Sequence, residues 1–254
     1  MPAARRRTLA VSAALLAVLG TAGPALAASA PAIVQAPNAS TTPHLVGPHS
    51  HVLNSTSSNW AGYSATGAKF TSVTASWVQP AASCTGSDTY SSFWIGLDGD
   101  GSNSVEQTGS EVDCSGGSPQ YYAWYEMYPA YPVNFSNTVR PGDHFTSSVT
   151  TNGSGSFTLK LSDTTQGWTK TENKTLRNAA LASAEIIAEA PSDSSGALPL
   201  TDFHTVSFTG ATANGQPIGT FSPDAITMAS GSTTKASTSS LSGGGSFSVT
   251  WKHS

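Results

Sequence analysis

The sequence predicts an all-β protein, a sandwich or jelly roll of many short antiparallel strands. Three observations carry that expectation. Several segments alternate apolar and polar residues with a period of two. Clusters of Gly, Asn, Ser and Pro separate them, and no strand–helix alternation of the α/β kind occurs. The composition agrees: of 254 residues, 24 are Gly and 15 are Pro, and only 10% are charged, against roughly 25% in an average soluble domain. This balance argues against a coiled coil, a helix bundle and a basic nucleic-acid binder. A collagen-like chain is excluded because the glycines keep no three-residue period.

In chain order, residues 1–27 read as a secretory signal peptide. Arg5, Arg6 and Arg7 form a basic start, residues 9–19 are apolar, and Pro24 precedes the small triplet Ala25-Leu26-Ala27, which sets cleavage after Ala27. The adjacent arginines fit the twin-arginine route as well as the general one. The apolar run is too short to span a bilayer, and no later segment is long enough. The expected location is therefore extracellular, with no membrane association once the signal is cut. Residues 28–54 contain no Asp, Glu, Lys or Arg and show no periodicity, which marks a pro-segment or linker. Their three histidines, His44, His49 and His51, would gain charge below about pH 6 and weaken any docking on an apolar cleft. Residues 55–254 form the expected sandwich domain. Dropping residues 1–54 removes three arginines and no acid, leaving 8 basic and 15 acidic groups, a net of −7. Such a surface repels nucleic acid and anionic membranes and suits work in acid, where carboxylates discharge and few fixed cations remain.

The strand signals follow in order: 70–78 (FTSVTASWV), 91–97 (SSFWIGL), 121–128 (YYAWYEMY), 146–150, 156–161 (SFTLKL), 184–189, 206–208 and 246–251 (SFSVTW). Turns are expected at 151–155 (TNGSG), 213–217 (ANGQP) and 242–245. Residues 176–184 (LRNAALASA) read either as a helix or as the lead into the strand after them. Cys84 and Cys114 are the two cysteines, and export suggests one disulfide closing a loop of about 30 residues.

Common catalytic signatures are absent. There is no G-x-S-x-G and no H-E-x-x-H, and only His144 or His204 could serve a Ser-His-Asp set. The acidic stretch from Asp98 to Ser102 has Asn103 and Gly109 where a calcium loop needs Gly and Glu, so a tight turn is the reading. Carboxylates are more informative. Glu126 lies inside an aromatic strand, and Glu185 and Glu189 lie inside AEIIAE, where charges are unusual unless paired, hydrogen-bonded or functional. In a strand, Glu185 and Glu189 share a face about 13 Å apart, too far for a glycosidase pair at about 5–9.5 Å.

Four blocks in fixed order complete the pattern: Trp94-Ile95-Gly96-Leu97-Asp98-Gly99, Gln107-Thr108-Gly109, Ala123-Trp124-Tyr125-Glu126, and 184–189, with Asn59-Trp60-Ala61-Gly62 upstream. From about residue 58 onward the chain resembles the eqolisin-type glutamic peptidases. The resemblance implies a concanavalin-like sandwich of two large antiparallel sheets with a cleft on one concave face. It implies acid endopeptidase activity on protein or peptide substrates, with no cofactor and no metal, in a monomer. The family's catalytic Gln falls on Gln107 and its catalytic Glu on Glu189. Trp60, Trp94, Asp98, Trp124 and Glu126 fall on positions that line or support the cleft. Tyr122 and Met127 depart from the fungal pattern of Asp and Trp. Two other readings stand beside it. One is a jelly-roll glycoside hydrolase with Glu126 and Glu189 facing each other from adjacent strands. The other is a non-catalytic carbohydrate-binding sandwich that stacks sugars on Trp60, Trp94 and Trp124.

Overall fold

The computed structural model describes residues 33–35 and 54–254. The expected signal peptide and His44, His49 and His51 lie outside the described residues. Each segment expected as a strand lies in or overlaps one, and further strands join them: β1 (Asn54–Ser57), β2 (Trp60–Thr66), β3 (Ser72–Val78), β4 (Thr89–Leu97), β5 (Val105–Ser115), β6 (Ser118–Tyr128), β7 (Val133–Asn134), β8 (His144–Thr151) and β9 (Ser156–Asp163). They continue as β10 (Trp168–Thr175), β11 (Ser183–Glu189), β12 (Ser192–Asp193), β13 (Gly196–Ala197), β14 (Thr205–Ala213), β15 (Gln216–Pro217), β16 (Asp224–Ser230), β17 (Thr233–Thr238) and β18 (Phe247–Trp251). Among the described residues the one helical turn is a 3-10 turn at Ile218–Phe221.

Hydrogen bonds run continuously through one large sheet in the order β10-β9-β8-β3-β14-β18-β17-β16-β2-β11-β4-β5-β6-β7. The sheet doubles over on itself. Strands β4 and β5 pack against β8 and β9, and β11 packs against β3 and β14, without being neighbours in the ladder. The layer of β2, β11, β4, β5 and β6 thus covers the layer of β3, β8, β9 and β14. The apolar side chains between them, such as Phe93, Ile95, Phe145, Leu159, Ile186 and Phe208, form the main core. Strict alternation in β8 and β9 sends every second residue inward.

Residues 176–182 do not form a helix. Asn178 and Leu181 have φ of 71° and 54°, values no right-handed helix contains. The Asp98 carboxylate accepts hydrogen bonds from the backbone N–H groups of Leu181 (2.9 Å) and Ala182 (2.8 Å). This clamp delivers the chain into β11, so the tertiary contact overrides a weak helix preference. The disulfide Cys84–Cys114 is formed, with its Cα atoms 5.4 Å apart.

Candidate active site

Register sorts the side chains of one sheet face into three rows, because residues directly opposite in a ladder point the same way. The first row is Trp60, Glu189, Ser92, Glu111 and Tyr122 on β2, β11, β4, β5 and β6. The second is Gly62, Ile187, Trp94, Gly109 and Trp124. The third is Ser64, Glu185, Gly96, Gln107 and Glu126. Ile187, Trp60, Trp94 and Trp124 form a second apolar cluster, separate from the core between the layers. The face is therefore aromatic along its middle and carries carboxyl and amide groups on either side.

Two glycines make room for this arrangement. A Cβ on Gly109 would sit 2.5 Å from Cβ of Trp94 and 2.3 Å from the carbonyl oxygen of Phe93. A Cβ on Gly96 would sit 2.9 Å from Cζ3 of Trp94 and 3.1 Å from Cβ of Gln107. The glycines of the W-I-G and Q-T-G blocks are thus the floor on which Trp94 and Gln107 lie. The Trp94 indole runs from the first row to the third. Its Nε1 donates to Oε2 of Glu189 at 2.8 Å, and its far edge lies over Gly96 beside Gln107. Trp60 closes on Trp94 edge to face, with ring centroids 5.1 Å apart. Asn59 Nδ2 donates to Oε1 of Glu189 at 3.4 Å.

Gln107 is fully buried, and its Nε2 donates twice. One hydrogen goes to Oε2 of Glu126 at 2.8 Å. The other goes to the backbone carbonyl oxygen of Gln35 at 3.0 Å. Burial pushes the Glu126 carboxyl up to about 8, against hydrogen bonds from the Gln35 backbone and Gln107 that pull it down. Glu111 is raised well above the usual carboxylate range by burial first and by Asp113 second, with Glu189 adding like-charge repulsion.

The structure puts Gln107, Glu189, Trp60, Trp94, Trp124 and Glu126 on one face. Gln107 and Glu189 lie two strands apart and four residues out of register, with the Trp94 indole between them. Asp98 supports rather than lines: both carboxylate oxygens hold the entry to β11. Two expectations are corrected. Glu126 and Glu189 are not on adjacent strands, since β4 and β5 intervene. Three strand spacings put their backbones about 14 Å apart laterally, and Glu126 is engaged with Gln107, so the glycosidase geometry is absent. Trp60 and Trp94 do not make a sugar-stacking platform, since they pack edge to face and the Trp94 N–H is used by Glu189. Sequence reasoning missed Asn59, Glu111 and Gln35. Glu111 had a signal, because it stands four residues after Gln107 on one strand and so shares its face. Asn59 stood in a quoted block, and Gln35 had no signal.

A folded-over antiparallel sheet with buried carboxyls and a buried amide donor on one aromatic face defines the class of fold: a β-sandwich with an acidic, aromatic face. The comparisons with known proteins agree. Residues 58–251 match the Peptidase A4 family. Aspergillopepsin-2 of Aspergillus niger is 32% identical over 189 residues, covering 64% of this chain and 67% of the relative. Scytalidopepsin B of Scytalidium lignicola is 33% identical over 171 residues, covering 65% and 60%. A scytalido-glutamic peptidase solved with a transition-state analogue inhibitor superposes with a TM-score of 0.65 at 27% identity, covering 77% of this chain and 98% of that one. The chain belongs to the Peptidase A4 family, the eqolisins, and is a glutamic-type endopeptidase.

Proposed function

We propose that the protein is a secreted acid endopeptidase that cuts peptide bonds with Glu189 and Gln107. Glu189, ionised, takes a proton from water as the water oxygen adds to the peptide carbonyl carbon. Charge then develops on the carbonyl oxygen, where Gln107 Nε2 donates. Glu189 returns the proton to the leaving nitrogen, and the carbon–nitrogen bond breaks. A donor of this kind is worth about 2.7–4 kcal/mol to the transition state. Glu126 fixes which end of the Gln107 amide faces the substrate, because the second Nε2 hydrogen is held by its carboxyl. Trp94 and Asn59 orient the Glu189 carboxylate.

The observation that carries this reading is the Gln35 carbonyl on Gln107 Nε2 at 3.0 Å: a peptide carbonyl rests on the very donor assigned to the oxyanion. Secretion rests on the basic, apolar and small-residue order of residues 1–27. The acidic surface supports a monomer that takes protein substrates and not nucleic acid. The test is casein digestion from about pH 2 to pH 8, with and without serine reagents, thiol reagents and a chelator. Digestion confined to the acid side and indifferent to all three additions is expected. Full activity at pH 8, or loss with the chelator, contradicts the reading.

A further inference from the structure

Ser83, His204 and Asp202 stand outside the three rows of the active face, and the peptidase reading uses none of them. Ser83 Oγ and Nε2 of His204 are hydrogen-bonded at 3.1 Å. Nδ1 of the same ring lies 3.4 Å from Oδ1 of Asp202. With its hydrogen on Nδ1, toward the carboxylate, the ring keeps Nε2 as the acceptor, and the Ser83 hydroxyl donates to it. Hydroxyl, imidazole and carboxylate thus follow one another in the order that general-base activation of a serine needs.

The fold holds each member in place. Ser83 and Asp202 form an antiparallel bridge, in which the Ser83 N–H donates to the Asp202 carbonyl oxygen at 2.8 Å. Both neighbours of Ser83 are tied down: the Ala82 N–H donates to the Tyr121 hydroxyl at 3.1 Å, and Cys84 is in the disulfide with Cys114. Phe203, between the other two members, is fully buried and meets Phe93 edge to face at 5.2 Å. His204 has φ of 58°, and its own N–H donates to Oδ1 of Asp202 at 2.9 Å. Left-handed backbone is uncommon away from glycine. Here it turns the chain so that the ring comes back beside the carboxylate two residues earlier. The working atoms stay open. The His204 side chain is 60% exposed, and Ser83 is exposed as well.

We propose that Ser83, His204 and Asp202 form a second catalytic site, a serine-type one that hydrolyses small activated esters through an acyl-Ser83 intermediate. Ser83 Oγ bonds to the ester carbonyl carbon as its proton passes to His204 Nε2. The bond from that carbon to the alcohol oxygen then breaks, and the alcohol leaves with the proton from Nε2. Water adds to the acyl carbon and gives a proton to Nε2. The bond to Oγ breaks, and the proton returns to Oγ. The products are an alcohol and a carboxylic acid. Asp202 holds the ring in the working tautomer and balances its charge when it is protonated. The openness of the site sets the substrate class. Charge on the carbonyl oxygen is met by solvent rather than by a buried donor, so esters with a good leaving group react and peptide bonds do not.

The test uses the Glu189→Gln protein at about pH 7, which removes the proposed acid–base residue of the peptidase and leaves a histidine able to act as base. A fluorophosphonate, which exchanges its fluoride for a serine oxygen, is expected to label Ser83, read by peptide mass spectrometry. The ester p-nitrophenyl acetate is expected to be hydrolysed. Adding Ser83→Ala or His204→Gln should lower ester turnover at least about tenfold, each beside its own melting curve. Asp202→Asn, which keeps an oxygen to accept the His204 N–H, should slow labelling by about tenfold or more. An unlabelled Ser83, labelling at the same rate in His204→Gln, or ester turnover unchanged in Ser83→Ala overturns the proposal. The labelling needs no change at the site itself, so a variant that fails to fold does not shield the proposal. With Glu189 restored, the labelled protein should digest casein at about pH 4 as fast as the unlabelled one. Loss of that digestion on labelling overturns the separation of the two sites.

Discussion

At the residue scale, the site depends on what two glycines leave open and on which carboxyl carries charge. Gly96→Ala would press a methyl group within 2.9 Å of the Trp94 ring and 3.1 Å of Gln107 Cβ. Overpacking of this kind costs about 1–3 kcal/mol, and here the strain falls on Trp94 and Gln107, the side chains that the proposed mechanism uses. A fall in kcat of about tenfold or more with a Tm change of a few degrees is expected, read from casein kinetics and a melting curve; an unchanged kcat would show that Trp94 and Gln107 tolerate displacement. The sequence blocks named Gln107, Trp94 and Glu189 because rare residue types stood in strands at fixed spacing. Glu111 escaped because a lone Glu among Ser, Val and Asp looks like an exposed polar residue. Its spacing of four from Gln107 becomes a signal once β5 is known to be a strand, and the fold buries it to 1% exposure beside a Gln side chain.

At the element scale, β4, β6 and β11 of the site were legible as strands, whereas β5, which carries Gln107, was not. The alternation of β3, β8 and β9 was legible because one face of each is buried against the core. In β5, residues from Val105 to Val112 are all buried, yet five of them are polar, Glu106, Gln107, Thr108, Ser110 and Glu111, so hydropathy does not alternate although both faces are covered. A strand filled with polar groups at a catalytic face is where local preference and global fold part company. The edge strand β10 was missed for the opposite reason, being polar throughout. The disulfide anchors β5 at Cys114, seven residues beyond Gln107, to the loop before β4. Loop entropy assigns it about 3–4 kcal/mol. Reduction, or the double change Cys84→Ser and Cys114→Ser, should lower Tm by several degrees and reduce activity with it. Equal melting curves in the oxidised and reduced protein would remove the tether from the explanation.

At the scale of the whole molecule, the interior is acidic. Nine acids and one base, Lys235, are buried among the described residues. Burial raises Glu106 and Glu126 to about 8 and lifts Glu111 and Glu185 well above the usual range. For Glu106 the Asp98 charge adds to burial. An acid whose folded pKa is raised binds its proton more tightly when folded, so its stabilising contribution is full below about pH 4.5 and is lost as pH rises toward 8. The melting temperature should therefore be higher near pH 4 than near pH 8, and Glu106→Gln should remove a part of that slope worth a few kcal/mol at most. A Tm that rises from pH 4 to pH 8 would contradict the assignment of these groups as neutral in the fold. Such a fold is suited to acid, the medium in which the proposed activity is expected. That face is tested most directly by kcat for Glu189→Gln and Glu185→Gln, two isosteric changes on one strand and one face, each beside its own melting curve. The expected result is a loss of at least about 100-fold for Glu189→Gln and a change within several-fold for Glu185→Gln, with both proteins folded; wild-type turnover in Glu189→Gln would contradict the assignment of Glu189 as the general base.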